Sequence, residues 1–458
     1  MRTGGPVNAR CWRPTWPTSR HFIRTACCAP RGRRWQKEFA EPLRRAGGWN
    51  RDAARGVELR MRKLIAGVLW LCSGLAAKDA QPLCAVPVEV RGGAVFVPVQ
   101  VNGKSFLFLF DSAAGWHCLN RRLADDLRLT LREHPGGAEG AGDGRARSAE
   151  VLGAELRVGD LQLPFAPAAA IDLDGVAARR GEDLDGLLGA PLLRRYVVEV
   201  DLEAAILKIY DPALWAYGGA GEQLPVRVDS MGTPHLRVRF RTPGGEAMEG
   251  EFKIDSAASS ATLMFAWPFT ARHGLLDRLR AAGVPLLSDE MAGVGGTSRM
   301  WYTRLAEVQL GRTAFERPWA GLIEAKGGTL AATEIAGIIG GGLMHRYKVI
   351  YDCPRGRIFL ERGKRMGDPF EIDMSGLRWT SPRENRREFR VRAVIADSAA
   401  ARAGLQAGDV LLTLDGLPAA EIDRTALGKR LMSPGKVRLT VKREGRELEF
   451  ELALARLL

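Results

Sequence analysis

The 458-residue sequence has few cysteines, six scattered histidines and, beyond its first 63 residues, little net charge. Most of the formal net charge of +14 lies in residues 1–63, so the remainder lacks the basic surface expected of a nucleic-acid-binding protein. The histidines and cysteines show no metal-ligand spacing, and we expect neither a metal nor a cofactor. No apolar run reaches the ~20 residues that a membrane-spanning helix needs.

A short cationic start at Met61, a brief apolar run and small residues predict a secretory signal peptide at 61–77. Cleavage near Ala76 or Ala77 predicts a protein exported to the periplasm or the exterior. Residues 1–60 are rich in arginine and lack apolar periodicity, and we expect disorder there. Two interpretations stay open for them: an upstream extension translated from a mis-set start codon, or an organelle transit segment.

Three cysteines follow the predicted signal peptide: Cys84, Cys118 and Cys353. An odd number leaves at least one of them unpaired. A single disulfide is compatible with an exported protein, but the spacing does not identify the pair.

The chain contains the same pattern of motifs twice. Asp-Ser-Ala-Ala ends an apolar, strand-like run at 111–114 and again at 255–258. Each copy is followed by Gly-x-x-Gly, at 186–189 and 337–340, and by a similar closing strand. Many short alternating runs and 53 glycines indicate a mostly β protein built by internal duplication.

The tetrapeptide alone is weak evidence, because it recurs at 397–400 in a context that indicates only local structure. The first two copies differ from this third one because each lies in the complete order of strand, Asp-Ser, glycine-rich segment and Gly-x-x-Gly. The glycine-rich segments, 136–144 and 293–297, fit either mobile hairpin tips or flaps over a cleft.

On this paired pattern, residues 84–362 resemble the retropepsin-like and pepsin-like aspartic peptidases, and the bacterial type with two lobes in one chain is the most similar. The resemblance implies two pseudo-symmetric β-barrel lobes, at 84–215 and 222–362, that form a bilobal acid-protease fold. It also implies that Asp111 and Asp255 are a catalytic dyad that activates water without a metal or cofactor.

The same resemblance implies a set of residues that support the active-site loops: Ser112, Ser256, Ala113, Ala257, Gly189 and Gly340. The serines would lock the two loops together, and the glycines would pack behind them. The family has glycine where this chain has Ala113 and Ala257, and a Cβ restricts the backbone there. An active aspartic endopeptidase is therefore the leading hypothesis, and a catalytically inactive peptide-binding protein is the alternative.

The run at 397–410 makes residues 370–458 resemble a PDZ domain, a small β-sandwich or barrel with short helices. The resemblance implies binding of peptide C-termini or extended peptides. The best match for the carboxylate-binding loop is Gly376, Leu377 and Arg378. The alternative is a domain that only packs against the lobes.

The sequence therefore predicts an exported aspartic endopeptidase that acts on polypeptides. It does not bind nucleic acid or span a membrane in this interpretation. Cleavage specificity, natural substrate and oligomeric state have no signature in the sequence.

Overall fold

A computed structural model describes the chain over residues 81–163, 168–331 and 334–458. The described residues belong to one compact unit. The predicted signal peptide at 61–77 and the extension at 1–60 lie outside the described residues. No helix in the described ranges has the length and apolarity needed to cross a membrane.

Short strands dominate the first half of the described chain. In order, they are β1 (Cys84–Pro87), β2 (Glu89–Arg91), β3 (Ala94–Val101), β4 (Lys104–Asp111), β5 (Cys118–Asn120), β6 (Thr130–Glu139), β7 (Arg145–Leu152), β8 (Leu156–Val158), β9 (Leu161–Gln162), β10 (Ala168–Ile171), β11 (Gly186–Gly189), β12 (Val197–Asp201) and β13 (Ile206–Tyr210). The helices are α1 (Arg121–Asp126), α2 (Asp174–Arg180) and α3 (Pro191–Arg195). Asn102 and Gly103 join β3 to β4 with φ of 48° and 79°, the positive values that an Asn-Gly hairpin turn adopts.

The second half repeats this succession. Its strands are β14 (Glu222–Pro225), β15 (Arg227–Val228), β16 (Pro234–Arg241), β17 (Ala247–Asp255), β18 (Leu263–Phe265), β19 (Leu287–Gly293), β20 (Gly296–Arg304), β21 (Glu307–Leu310), β22 (Thr313–Glu316), β23 (Trp319–Glu324), β24 (Gly337–Gly340), β25 (Tyr347–Asp352) and β26 (Arg357–Arg362). Its helices are α4 (Trp267–Arg272), α5 (Leu275–Ala281) and α6 (Gly341–Met344).

Each half forms its own sheet, and the two sheets have the same topology. The first runs β6-β7-β10-β5-β11-β4-β3-β8-β9 with β2 beside β3, and the second runs β19-β20-β23-β18-β24-β17-β16-β21-β22 with β15 beside β16. In each of these two sheets the strands pair in a linear, open order from one outer strand to the other. The mostly β fold is thereby confirmed, and the matching order supports the internal duplication.

A third sheet joins the two halves. Its order, β1-β13-β12-β25-β26-β14, places equivalent strands symmetrically about its centre. There β12 and β25 pair antiparallel, with Val198 opposite Tyr351 and Val200 opposite Val349. A pseudo-twofold axis therefore passes between these strands, and one apolar core extends through both lobes.

The C-terminal domain has a separate sheet and core. Its elements are β27 (Leu377–Thr380), β28 (Arg390–Val394), α7 (Ala399–Ala403), β29 (Val410–Leu414), β30 (Leu417–Pro418), α8 (Arg424–Leu431), β31 (Gly435–Arg443) and β32 (Arg446–Leu454). The strands pair in the order β27-β28-β29-β31-β32, with β30 on β29. The third Asp-Ser-Ala-Ala copy starts α7, because the Ser398 hydroxyl accepts from the Ala401 amide. Its role here is helix capping.

Cys84, Cys118 and Cys353 are all buried and unpaired. The Cys84 thiol donates to the Val158 carbonyl oxygen at 3.0 Å. Within the described residues, the disulfide that the sequence left open is not formed.

Candidate active site

Asp111 and Asp255 occupy equivalent positions at the ends of β4 and β17. Two backbone amides donate to Oδ1 of Asp111: Ala113 at 2.9 Å and Ala114 at 3.0 Å. Asp255 Oδ1 accepts in the same way, at 3.0 Å from each of the two alanines that follow Ser256. Each carboxylate is therefore held by its own turn, in the same orientation within each lobe.

Ser112 and Ser256 bind the two turns to each other. The Ser256 hydroxyl accepts from the Ser112 amide at 2.9 Å and donates to the Phe110 carbonyl at 2.8 Å. The Ser112 hydroxyl accepts from the Ser256 amide at 3.0 Å and donates to the Ile254 carbonyl at 2.7 Å. Both serines are buried. This reciprocal set of four hydrogen bonds brings the aspartates of the two lobes together.

The predicted supporting glycines lie directly against the two turns. Gly189 pairs with Asp111 between parallel strands, and Gly340 pairs likewise with Asp255. A Cβ on Gly189 would come within 2.1 Å of the Trp116 carbonyl oxygen. A Cβ on Gly340 would come within 2.5 Å of the carbonyl oxygen of Ala258. Only glycine leaves room for the loops at these positions.

The alanines that replace glycine in the motif fit the backbone. Neither Ala113 nor Ala257 has a positive φ, so a Cβ adds no conformational strain at either position. Their amides also make the hydrogen bonds to the aspartates described above. The difference from the family pattern therefore leaves the geometry of the turns intact.

The two carboxyl groups interact electrostatically. Burial, and then the negative charge of Asp255, raises the pKa of Asp111 to about 7, although hydrogen bonds from its turn lower it. Burial also raises the pKa of Asp255, while the turn amides and the charges of Lys253 and Arg180 lower it. Because the Asp255 charge raises the pKa of Asp111, the two carboxyl groups titrate as a coupled pair.

The two glycine-rich segments are hairpin tips that meet each other. The β6–β7 tip and the β19–β20 tip are joined by amides of Gly142 and Gly144, which donate to Val294 and Gly295 carbonyls at 3.0 and 2.8 Å. Val294 packs against the same first-lobe apolar cluster as Ala114 and Ala257, close to both aspartate turns. This arrangement favours flaps over a cleft rather than independent mobile tips.

Sequence reasoning missed three polar residues around the dyad. Arg180, at the end of α2, donates from Nη1 to the Ala257 carbonyl at 3.4 Å. Lys253 precedes Asp255 by two residues on β17, and its charge lowers the pKa of both aspartates. His117 accepts from the Gly189 amide at Nδ1, and burial lowers its pKa to about 4, which keeps it neutral. The alternation of side chains between the two faces of β17 is the one sequence signal that could have placed Lys253 on the same face as Asp255.

The predicted carboxylate-binding loop of the C-terminal domain is occupied from within the chain. Gly376 has a φ of 78°, and its amide and that of Ser375 donate to Asp373 Oδ1, both at 2.9 Å. Arg378 donates from Nε to Asp289 of β19 at 2.6 Å, and its Nη1 lies 3.9 Å from Asp373 Oδ1. Two amides that would receive a peptide carboxylate therefore already hold one.

A groove of about 260 Å³ lies beside this loop, between β27 and α8. Its lining combines apolar and charged side chains of the C-terminal domain with two residues of the lobes: Leu377, Trp379, Leu427, Leu431, Asp373, Arg378, Arg392, Arg424, Arg179 and Ala292. The Ser381 amide, just after β27, donates to the Ala178 carbonyl at 3.0 Å. The end of α2 in the first lobe therefore borders the groove.

Two family models match the chain. Residues 97–192 match the aspartyl protease model, and residues 390–443 match the PDZ domain model. The UBA domain-containing protein Mud1 of Schizosaccharomyces pombe is 33% identical over 123 residues, which cover 25% of this chain and 33% of Mud1. The chain thus matches about a third of the length of that curated relative.

Solved structures of two proteases also resemble the chain in part. The aspartic proteinase from Irpex lacteus aligns with a TM-score of 0.38 and 12% identity, over 62% of this chain and 98% of that one. The photosystem II D1 C-terminal processing protease aligns with a TM-score of 0.18 and 21% identity, over 20% of this chain and 25% of that one.

Proposed function

We propose that this chain, which carries an aspartyl protease-like domain and a PDZ domain, is an aspartic endopeptidase that hydrolyses polypeptides. The observation that carries the proposal is the reciprocal hydrogen bonding of Ser112 and Ser256, which fixes Asp111 and Asp255 at one site. A dyad of this kind needs two carboxylates that share one proton. The electrostatic interaction between the two aspartates supplies that condition.

In the proposed mechanism, ionised Asp255 accepts a proton from a water molecule, which attacks the scissile carbonyl carbon. Protonated Asp111 donates its proton to the carbonyl oxygen, so no full negative charge develops there. The gem-diol then collapses: Asp255 passes the proton that it took from water to the leaving nitrogen, Asp111 takes a proton back from a gem-diol hydroxyl, and the C–N bond breaks. The turn amides stay on Oδ1 of each aspartate throughout, which limits the reorganisation required.

The PDZ domain is proposed to hold substrate or partner peptides. An extended peptide would enter the groove between β27 and α8 and contact Leu377 and Leu427. A peptide carboxylate would have to replace Asp373 at the amides of Ser375 and Gly376. This favours recognition of the extended segment over recognition of a free C-terminus.

Export to the periplasm or exterior is also proposed, on the pattern at 61–77 alone. N-terminal sequencing of the protein recovered from the cell envelope or medium tests it. A mature start near Ala77 is the expected result, and a retained Met1 or Met61 contradicts export by cleavage.

The test of the proposed activity is digestion of a diverse peptide mixture between pH 3 and 8 by the purified protein, beside Asp111→Asn and Asp255→Asn. We expect the wild type to cleave peptides and both variants to be inactive, because each variant lacks one of the two carboxyl groups that transfer protons. No cutting at any pH by a folded wild-type protein would support the alternative, a peptide-binding protein without activity.

A further inference from the structure

The two lobes place chemically different side chains at equivalent positions beside the dyad. Leu109 precedes Asp111 by two residues and lies opposite Phe96. Lys253 precedes Asp255 by two residues and lies opposite His235. In the first lobe this position belongs to an apolar cluster, where Leu109 is 2% exposed. The second lobe has a cation at the same place.

The alternation of β17 sets the direction of Lys253. Phe252 and Ile254 are fully buried in the core shared by the lobes. Lys253 therefore shares the opposite face with Asp255, since side chains two residues apart lie on one side of a strand. Its positive charge lowers the pKa of both aspartates, as expected for a cation on the face of β17 that carries Asp255. Within the described residues, no hydrogen bond or ion pair engages it.

A second cation, Arg180, lies on the same half of the cleft through its contact with the Ala257 carbonyl. At the 151-residue offset between the two Gly-x-x-Gly motifs, the second lobe has Ala331 where the first has Arg180. Arg180 is partly balanced by Glu182, whose Oε2 lies 3.6 Å from its Nε. Among the residues that the structure describes, no carboxylate lies at ion-pair distance from Lys253, so it is the stronger candidate to meet a charge on a ligand.

We propose that Lys253, assisted by Arg180, makes the cleft specific for peptides with an acidic side chain next to the scissile bond on the second-lobe side. The apolar surface around Leu109 takes an uncharged side chain on the other side of that bond. This inference rests on the proposed peptidase function.

The physical reason is the exclusion of water from the occupied cleft. A neutral side chain beside Lys253 leaves an ammonium desolvated and unpaired, whereas a carboxylate pairs with it. The pair also offsets the repulsion between an acidic substrate and the ionised dyad. We expect these effects to favour glutamate over glutamine about tenfold at that one position.

The test uses peptide pairs that differ only by Glu or Gln on either side of the cleaved bond. The purified protein is compared with Lys253→Leu, which installs the residue of the first lobe, and with Lys253→Arg, which keeps the charge. Lys104→Leu, on the exposed start of β4, is the matched control. Thermal unfolding verifies that each variant is folded.

We expect the wild type, the control and Lys253→Arg to cleave the Glu peptide with about tenfold higher kcat/KM, and the ratio in Lys253→Leu to fall to about one. An unchanged ratio in Lys253→Leu overturns the proposal. An equal loss on both peptides also overturns it, because that pattern shows an effect on the dyad rather than on selection.

If the wild type cleaves nothing, the proposed activity fails, and calorimetric binding of the same peptides decides the inference separately. Tighter binding of the Glu peptide that is lost in Lys253→Leu supports the acidic subsite. Equal dissociation constants for the Glu and Gln peptides overturn it.

Discussion

Arg378 of the PDZ domain donates from Nε to Asp289 Oδ2 at 2.6 Å, and Asp289 belongs to β19, the outer strand of the second flap. The Asp289 side chain is only 6% exposed, so this ion pair is largely removed from water. The next residue, Glu290, pairs with Arg392 of β28 at 2.9 Å. The PDZ domain is thus attached at two successive positions to the hairpin that covers the dyad.

Removing this attachment should loosen the flap. In Arg378→Ala, Asp289 is left buried without its cation, and opening of the hairpin relieves that cost. We expect faster amide hydrogen exchange over 287–304 than in the wild type. Arg430→Ala is the control, since its ion pair with Asp415 is also 2.6 Å long but lies within the PDZ domain. Equal exchange of the flap in both variants would contradict the attachment.

The serine lock should contribute measurably to stability. Ser112→Ala leaves the Ile254 carbonyl and the Ser256 amide without their buried partner. We expect a loss of about 2–4 kcal/mol in the free energy of unfolding, measured by urea denaturation. Ser433→Ala, at an exposed helix end, serves as the control and should change it by less than ~0.5 kcal/mol. Equal stability of the two variants would show that the lock is not structural.

The glycine behind the first turn should tolerate no larger residue. Gly189→Ala brings its Cβ against the Trp116 carbonyl, a backbone atom that cannot move without the aspartate turn. We expect at least a 100-fold loss of kcat/KM with the fold retained, since small displacements of catalytic groups are costly. Gly218→Ala meets no atom within 4 Å and should retain wild-type activity. Wild-type activity in Gly189→Ala would refute the assigned role of this contact.

The raised pKa of Asp111 predicts a pH-dependent gain in stability on neutralising it. Its pKa is about 7 in the folded protein and ~3.9 when unfolded, so the folded state holds the proton more tightly. Stability from this group is complete below the unfolded value and is lost as the pH rises through the folded one. We expect Asp111→Asn to be more stable than the wild type by ~1–3 kcal/mol at pH 8 and equal to it at pH 3.

Asp277→Asn, which changes an 86% exposed aspartate, is the control for that comparison. Its stability should follow the wild type at both pH values. A stability difference for Asp111→Asn that does not depend on pH would mean that the carboxyl is not perturbed in the folded protein.

The repeat could be recognised in the sequence because each of its motifs lies within a short stretch of the chain. A strand ending in Asp111, a following serine and Gly189 each leave a signature within a few residues, and two copies in one order remove the ambiguity of any single motif. The shared topology of the two lobe sheets follows from that pattern, whereas the serine lock was implied only by the family resemblance.

Contacts between distant segments had no such signature. Arg378 and Asp289 are 89 residues apart, and Arg180 and Ala257 are 77 apart. Neither contact leaves a periodic pattern in the sequence, because a tertiary contact constrains the two residues that make it and not the chain between them. The occupation of the PDZ loop by Asp373 is close in sequence, but it depends on a φ of 78° at Gly376 that composition does not specify.

The pH dependence of kcat/KM for one cleaved peptide, measured from pH 3 to 9, tests the shared-proton dyad most directly. We expect a bell-shaped profile whose descending limb lies near pH 7, where Asp111 loses its proton, and whose ascending limb lies above the ordinary pKa of an aspartate. A rate that continues to rise from pH 7 to 9 would show that no protonated carboxyl is required, and would contradict the assignment of Asp111 and Asp255 as the catalytic pair.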